Sequence, residues 1–83
     1  MINLLALRDD LERYLDRHQL RKKWNKQKRL FEQNWRHPSL HTEILEPHDL
    51  HIYSFRLDRK YRAIFVFVDD STIEVIDINS HYQ

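Results

Sequence analysis

Neither cysteine nor glycine occurs in the 83 residues, and each absence narrows what the chain can do. Without cysteine there is no disulfide framework, no thiolate zinc site and no thiol nucleophile, a composition suited to a reducing cytosol. Without glycine there is no Walker or Rossmann phosphate loop, because both need glycine where the backbone closes on a pyrophosphate, so nucleotide-cofactor chemistry of those kinds is excluded. Long apolar runs are also missing. The opening Met-Ile-Asn-Leu-Leu-Ala-Leu gives way to Arg8-Asp9-Asp10, too short for the apolar region of a signal peptide and far short of a membrane span. The expected location is the cytoplasm, with no membrane partner.

What the sequence has in quantity is charge. Charged residues make up 33% and hydrophobic residues 41%, which argues for a folded chain, and the length leaves room for a single domain, residues 1–83, around one core. The formal charge of +1 conceals an asymmetry, since residues 1–36 carry ten Lys/Arg against five Asp/Glu and residues 37–83 carry four against eight. From Arg17 to Arg29 there are seven basic residues and no acidic one. Such a run is suited to a phosphate backbone, although it is also what a solvated helix face looks like.

Leu4, Leu7, Leu11, Tyr14 and Leu15 recur at helical spacing and predict a first helix ending near His18; residues 2–7 serve a short strand equally well, and both readings stand. Leu20, Trp24, Gln27, Phe31 and Trp35 predict a second helix that buries aromatics and shows cations. It should close by about Arg36, because Pro38 disfavours helical geometry at His37. Three strand-like runs follow, at His51–Leu57, Tyr61–Val68 and Thr72–Ile78, with a shorter one around Thr42–Leu45. The middle run is almost continuously apolar and reads as a central strand; the last alternates less cleanly. Polar turns at Leu57-Asp58-Arg59-Lys60 and Val68-Asp69-Asp70-Ser71 are short enough for antiparallel hairpins. The expected architecture is α+β: an N-terminal helical hairpin on a twisted three- to four-stranded antiparallel sheet, with a possible short N-terminal strand.

Four segments, His37-Pro38-Ser39-Leu40, Tyr53-Ser54-Phe55-Arg56, Lys60-Tyr61-Arg62-Ala63-Ile64-Phe65 and Ile76-Asp77-Ile78-Asn79-Ser80-His81, follow one another in an order and spacing that resemble the RelE/ParE toxin superfamily. Together with the basic helical hairpin, the resemblance covers most of the chain. It implies two helices on a twisted antiparallel sheet, often with an initial strand, and a toxin of a type II toxin–antitoxin pair. The ribonuclease branch cuts messenger RNA, commonly in the ribosomal A site, and the ParE branch poisons DNA gyrase. A histidine after the last strand favours the first, since a binding module has no need of it. A third reading, an inactive homologue that only binds its antitoxin, draws on the chain's ending at Gln83, short of the further aromatic residue of many relatives.

RNA cleavage without metal or cofactor needs a base for the ribose 2′-hydroxyl, a cation for the phosphorane and an acid for the departing 5′-oxygen. Arg62 matches the strand arginine of the family and is expected to stabilise the transition state; pairing with Asp77 or Glu74 is the alternative. His81 is the candidate general acid. Tyr82 resembles the His-Tyr ending of one ribonuclease subgroup, where the ring stacks on a base or positions the phosphate. Glu43 falls near the carboxylate base of that subgroup, with Glu46 as a rival. Arg56 and Lys60 are expected to form a cationic rim around Arg62, and Lys22, Lys23, Lys26 and Arg29 a docking surface for RNA. His37-x3-His41 with His48-x2-His51 is rejected as a zinc site, because Pro38 breaks the helix that would align the first pair. The expected partners are a small, partly acidic antitoxin in a heteromeric complex, messenger RNA and the ribosome.

Overall fold

The structure, a computed structural model, describes residues 1–81. Its elements run β1 (Asn3–Leu4), α1 (Asp9–Arg17), α2 (Arg21–Gln33), a 3₁₀ turn (Pro38–Leu40), β2 (Glu43–Ile44), a second 3₁₀ turn (His48–Leu50), β3 (Tyr53–Arg56), β4 (Arg62–Asp69) and β5 (Thr72–Asn79). The α+β class and the helix–helix–meander order are as expected from the sequence. The sheet is larger than expected, with five strands in the order β1-β5-β4-β3-β2.

The additional strand settles the ambiguous N-terminus. Asn3 N–H donates to the Ser71 carbonyl (2.8 Å) and Leu5 N–H to that of Ile73 (3.0 Å), so residues before the first helix lie parallel to β5. The sheet is therefore mixed rather than purely antiparallel. Leu4 belongs to this strand, and only Leu11 and Leu15 of the proposed apolar stripe are buried helical residues.

α2 stops at Gln33, three residues before the expected limit. Asn34 turns extended and its side-chain oxygen accepts from Arg36 N–H (3.1 Å), an alternative to the helical ladder that asparagine offers at helix ends. The start of α2 lacks both a side-chain cap and acidic residues, which the helix dipole disfavours next to Arg21, Lys22 and Lys23. Arg21 is compensated from α1 by Glu12 and by Asp16 (3.1 Å).

Phe31 anchors the core. It is fully buried and packs its ring against Phe55 (4.8 Å between centroids) and edge-on against Phe65 (5.1 Å). On the helix-facing side of the sheet Tyr53 pairs with Phe65 and Phe55 with Ala63. The imperfect alternation of β5 is explained by a shift of register: Ile64 faces Asp77 but Phe65 faces Val75, leaving Ile76 as an extra residue. This bulge changes the parity, so that Ile73, Val75 and Ile78 are all buried.

Candidate functional site

The sheet face away from the helices carries the polar residues of interest. Residues opposed in register project to the same side. Glu43 on β2 is opposed to Ser54 on β3, and Arg56 on β3 to Arg62 on β4, which in turn faces Asn79 on β5. Glu43, Ser54, Arg56, Arg62 and Asn79 therefore share one face. His81 follows Asn79 by two residues and is tied to it, its N–H donating to Asn79 Oδ1 (3.0 Å). Strand pairing thus brings three of the expected site residues, Glu43, Arg56 and Arg62, onto one face, with His81 just beyond the end of β5.

Arg62 is only 5% exposed, yet it has no carboxylate partner among the described residues. Its Nε donates to Ser54 Oγ (2.9 Å) and its Nη2 to the carbonyl of His41 (2.5 Å). Asp77, the expected structural alternative, instead accepts from Asn79 Nδ2 (2.7 Å). Burial holds the Arg62 guanidinium below its ordinary value; Glu43 opposes the shift and Arg56 adds to it. A guanidinium kept at low exposure by neutral oxygens, with a second arginine opposed to it, is short of negative charge. Its flat fork of donors suits phosphate oxygens.

Ser54 and His41 hold Arg62 in place, and neither was selected from the sequence as a site residue. Ser54 had a visible signal, its period-two relation to Arg56. His41 had none, because it contributes a backbone carbonyl from a left-handed residue (φ 45°) after the 3₁₀ turn. Gln27 is a third positioning residue. Buried at the middle of α2, it donates from Nε2 to the carbonyls of Arg56 (2.8 Å) and Ser39 (3.3 Å), fixing β3 and the turn to the helix.

The remaining cations are dispersed. Lys23 is bonded to Asp58 (2.7 Å) in the β3–β4 turn, and with Lys26, Arg56 and Arg59 it lines a groove of about 370 Å³ between α2 and that turn. Lys22 and Arg29 are exposed on α2. The structure does not bring Lys60 to Arg62. Its ammonium lies 5.3 Å from the Tyr61 ring centre, and that ring packs with His18 and Tyr14 of α1. Glu46 lies in the loop beyond β2, beside an apolar hollow lined by Leu50, Ile52 and Ile64. Tyr82 lies outside the described residues. No group of three or more His, Asp or Glu among the described residues is arranged to hold a metal ion, and no helix is long and apolar enough to cross a membrane.

The sequence matches no protein-family model and no curated protein. Solved structures do match. The chain is similar to a YoeB/ParE toxin from Agrobacterium tumefaciens, at 18% identity and a TM-score of 0.70, covering 98% of both chains. It is also similar to a chain of the heterotetrameric YoeB–YefM toxin–antitoxin complex from Staphylococcus aureus, at 22% identity and a TM-score of 0.62, covering 99% of this chain and 97% of that one. At these identities the likeness establishes a shared fold, the RelE/ParE-type fold that the four sequence segments implied.

Proposed function

We propose that this chain, built on the fold of the YoeB/ParE toxins, is the toxin of a type II toxin–antitoxin pair and a metal-independent endoribonuclease that cuts messenger RNA on translating ribosomes. The observation that carries the reading is Arg62, a nearly buried cation held by neutral oxygens with Arg56 opposed to it. Such a pair is short of an anion, and an RNA phosphate supplies one.

In this mechanism Glu43 takes the proton of a ribose 2′-hydroxyl, whose oxygen attacks the adjacent phosphorus. Arg62 neutralises the growing charge on the phosphoryl oxygens, with Arg56 binding the same phosphate or its neighbour. The bond to the 5′-oxygen breaks as His81 donates a proton to it, leaving a 2′,3′-cyclic phosphate and a free 5′-hydroxyl. Tyr82 positions the phosphate or stacks on a base. Lys22, Lys23, Lys26 and Arg29 attract and dock the RNA, a sequence-independent attraction that weakens with salt. The expected protein partner is an antitoxin with an acidic segment covering the Arg62 face or the basic helix, and the expected location is the bacterial cytoplasm.

Incubating the purified chain with translating ribosomes and an end-labelled message tests the reading. The wild type should cut, and Arg62→Ala and His81→Ala should not. A wild type that arrests growth while leaving the message whole would overturn the ribonuclease assignment. Gyrase-trapped DNA breaks under those conditions would point to the ParE type of activity, and growth without arrest to an inactive homologue.

A further inference from the structure

Beside the proposed site, at the sheet edge formed by β2, is a hollow of about 390 Å³ whose lining includes Trp35, Arg36, His37, His41, Glu43 and Tyr53. Its size is at the small end of the roughly 300–1,000 Å³ typical of small-molecule sites. The aromatic part is packed ring against ring. Trp35 stands edge-on to Tyr53 (6.2 Å, 88°) and Phe67 (5.4 Å, 78°), and Tyr53 stacks on Phe65 (5.4 Å, 19°). Arg36 lies over the Trp35 ring, with its Cζ 4.7 Å from the centroid. The polar groups of the lining are largely unspent. The Trp35 indole N–H, the Tyr53 hydroxyl and the Glu43 carboxylate have no hydrogen-bond partner among the described residues. His37 accepts from Ser39 N–H at Nδ1 (3.1 Å), so its neutral ring presents Nε2–H as a donor.

Two of these residues also belong to the Arg62 site. Glu43 is the proposed base, and the carbonyl of His41 holds Arg62 Nη2. Trp35 and Tyr53 pack on the helix side of the sheet and Arg62 projects from the other, so RNA with a phosphate at Arg62 reaches this hollow by passing over the β2 edge, where Glu43 and His41 are common to both. Flat rings and guanidinium planes are the surfaces on which unpaired bases stack, and donors beside a carboxylate suit the mixed edge of a base.

From this shared edge we infer that the Trp35–Tyr53 hollow is a subsite for one nucleobase of single-stranded RNA, reached over the β2 edge from the phosphate held by Arg62. The inference rests on the ribonuclease reading for its substrate but has its own readout. The base contacts would then come from the segment between α2 and β2, separately from the phosphate contacts on the sheet face.

The chain has two tryptophans, and Trp24 is buried under β3 at 4% exposure. In a ¹H–¹⁵N spectrum the two indole N–H signals are thus separate reporters. The probes are 2′-O-methyl trinucleotides of each base, which lack the attacking hydroxyl, with ribose 5-phosphate as the baseless control. The Trp35 indole should shift with the trinucleotides and not with ribose 5-phosphate, while that of Trp24 stays in place. Arg36→Ala should weaken trinucleotide binding about threefold to tenfold with the fold unchanged. In single-turnover cleavage, an abasic nucleotide at one position beside the cut should slow the wild type about 10- to 100-fold, the range expected for one stacked base. Cleavage with no base-dependent shift at Trp35 would overturn the subsite and leave the nuclease reading standing. A base-dependent shift without cleavage would support the subsite and remove the nuclease.

Discussion

Arg56 and Arg62 are directly opposed across β3 and β4, on the sheet face turned away from the helices. Like charges in register destabilise a sheet, and no carboxylate among the described residues forms an ion pair with either. If the proposed phosphate site is right, this pair gives up stability for affinity toward an anion, which makes it the most informative place to substitute.

Replacing Arg56 with Gln should leave stability unchanged or raise it by a few tenths of a kcal/mol, since the opposed charge is removed. RNA binding should weaken, and the slope of log affinity against log salt should become shallower by about one, as expected for one lost phosphate contact. Denaturant titration and filter binding at several salt concentrations measure the two effects. A loss of stability with an unchanged salt slope would show that Arg56 is structural.

Arg62→Ala should slow cleavage more than Glu43→Gln does, by about 100- to 1,000-fold in kcat, because charge stabilisation is commonly the larger contribution. Single-turnover cleavage of one labelled message compares the two. Arg62→Lys should recover little, as an ammonium cannot reproduce a fork that bonds Ser54 and His41 together. Full activity in Arg62→Lys would show that a point charge suffices.

Asp58 supplies a pH test of the β3–β4 turn. Its desolvation pushes the carboxyl up, but Lys23 and the backbone N–H groups of Tyr61 and Lys60 outweigh it and hold the value below the ordinary one. A depressed folded value means stability that is present above the unfolded value of about 3.9 and is lost as pH falls through the folded one. Asp58→Asn should therefore flatten the acid limb of a stability–pH profile below about pH 4 and cost about 1–3 kcal/mol at neutral pH. An acid limb unchanged in the variant would place the pH dependence elsewhere.

Phe31→Ala should cost about 3–5 kcal/mol, because the ring fills the space between α2 and the Phe55 and Phe65 side chains with no exposed surface. Thermal or urea unfolding measures it. A smaller loss would mean that Trp24 and Trp35 collapse into the gap.

Periodicity made much of this architecture legible. The core positions of both helices and the three long strands followed from apolar spacing, which a buried face imposes directly on the sequence. The N-terminal strand did not, because Ile2 and Leu4 satisfy either period and only β5, nearly seventy residues on, decides between them. The bulge at Ile76 was visible only as broken alternation, without its consequence for the core. In the site, the motif residues were legible as side chains. Their supports were not, since one is a backbone carbonyl and another, Gln27, looks like any polar residue on a helix until its two carbonyl partners are known. Lys60 went elsewhere because a flexible ammonium found an aromatic ring before it found the arginines.

The left-handed backbone at His41 has a separate implication. In this chain without glycine, three such positions among the described residues are filled by Gln19, His41 and His51, and each β-carbon there carries a steric penalty of about 1–2 kcal/mol. At His41 that strain aims a main-chain oxygen at Arg62. Aim set by the main chain is indifferent to the side chain that hangs from it, so evolution is free to vary residue 41 among types that tolerate this conformation. The side chain that lines the hollow and the alignment of the Arg62 guanidinium can then drift independently, although a single residue serves both.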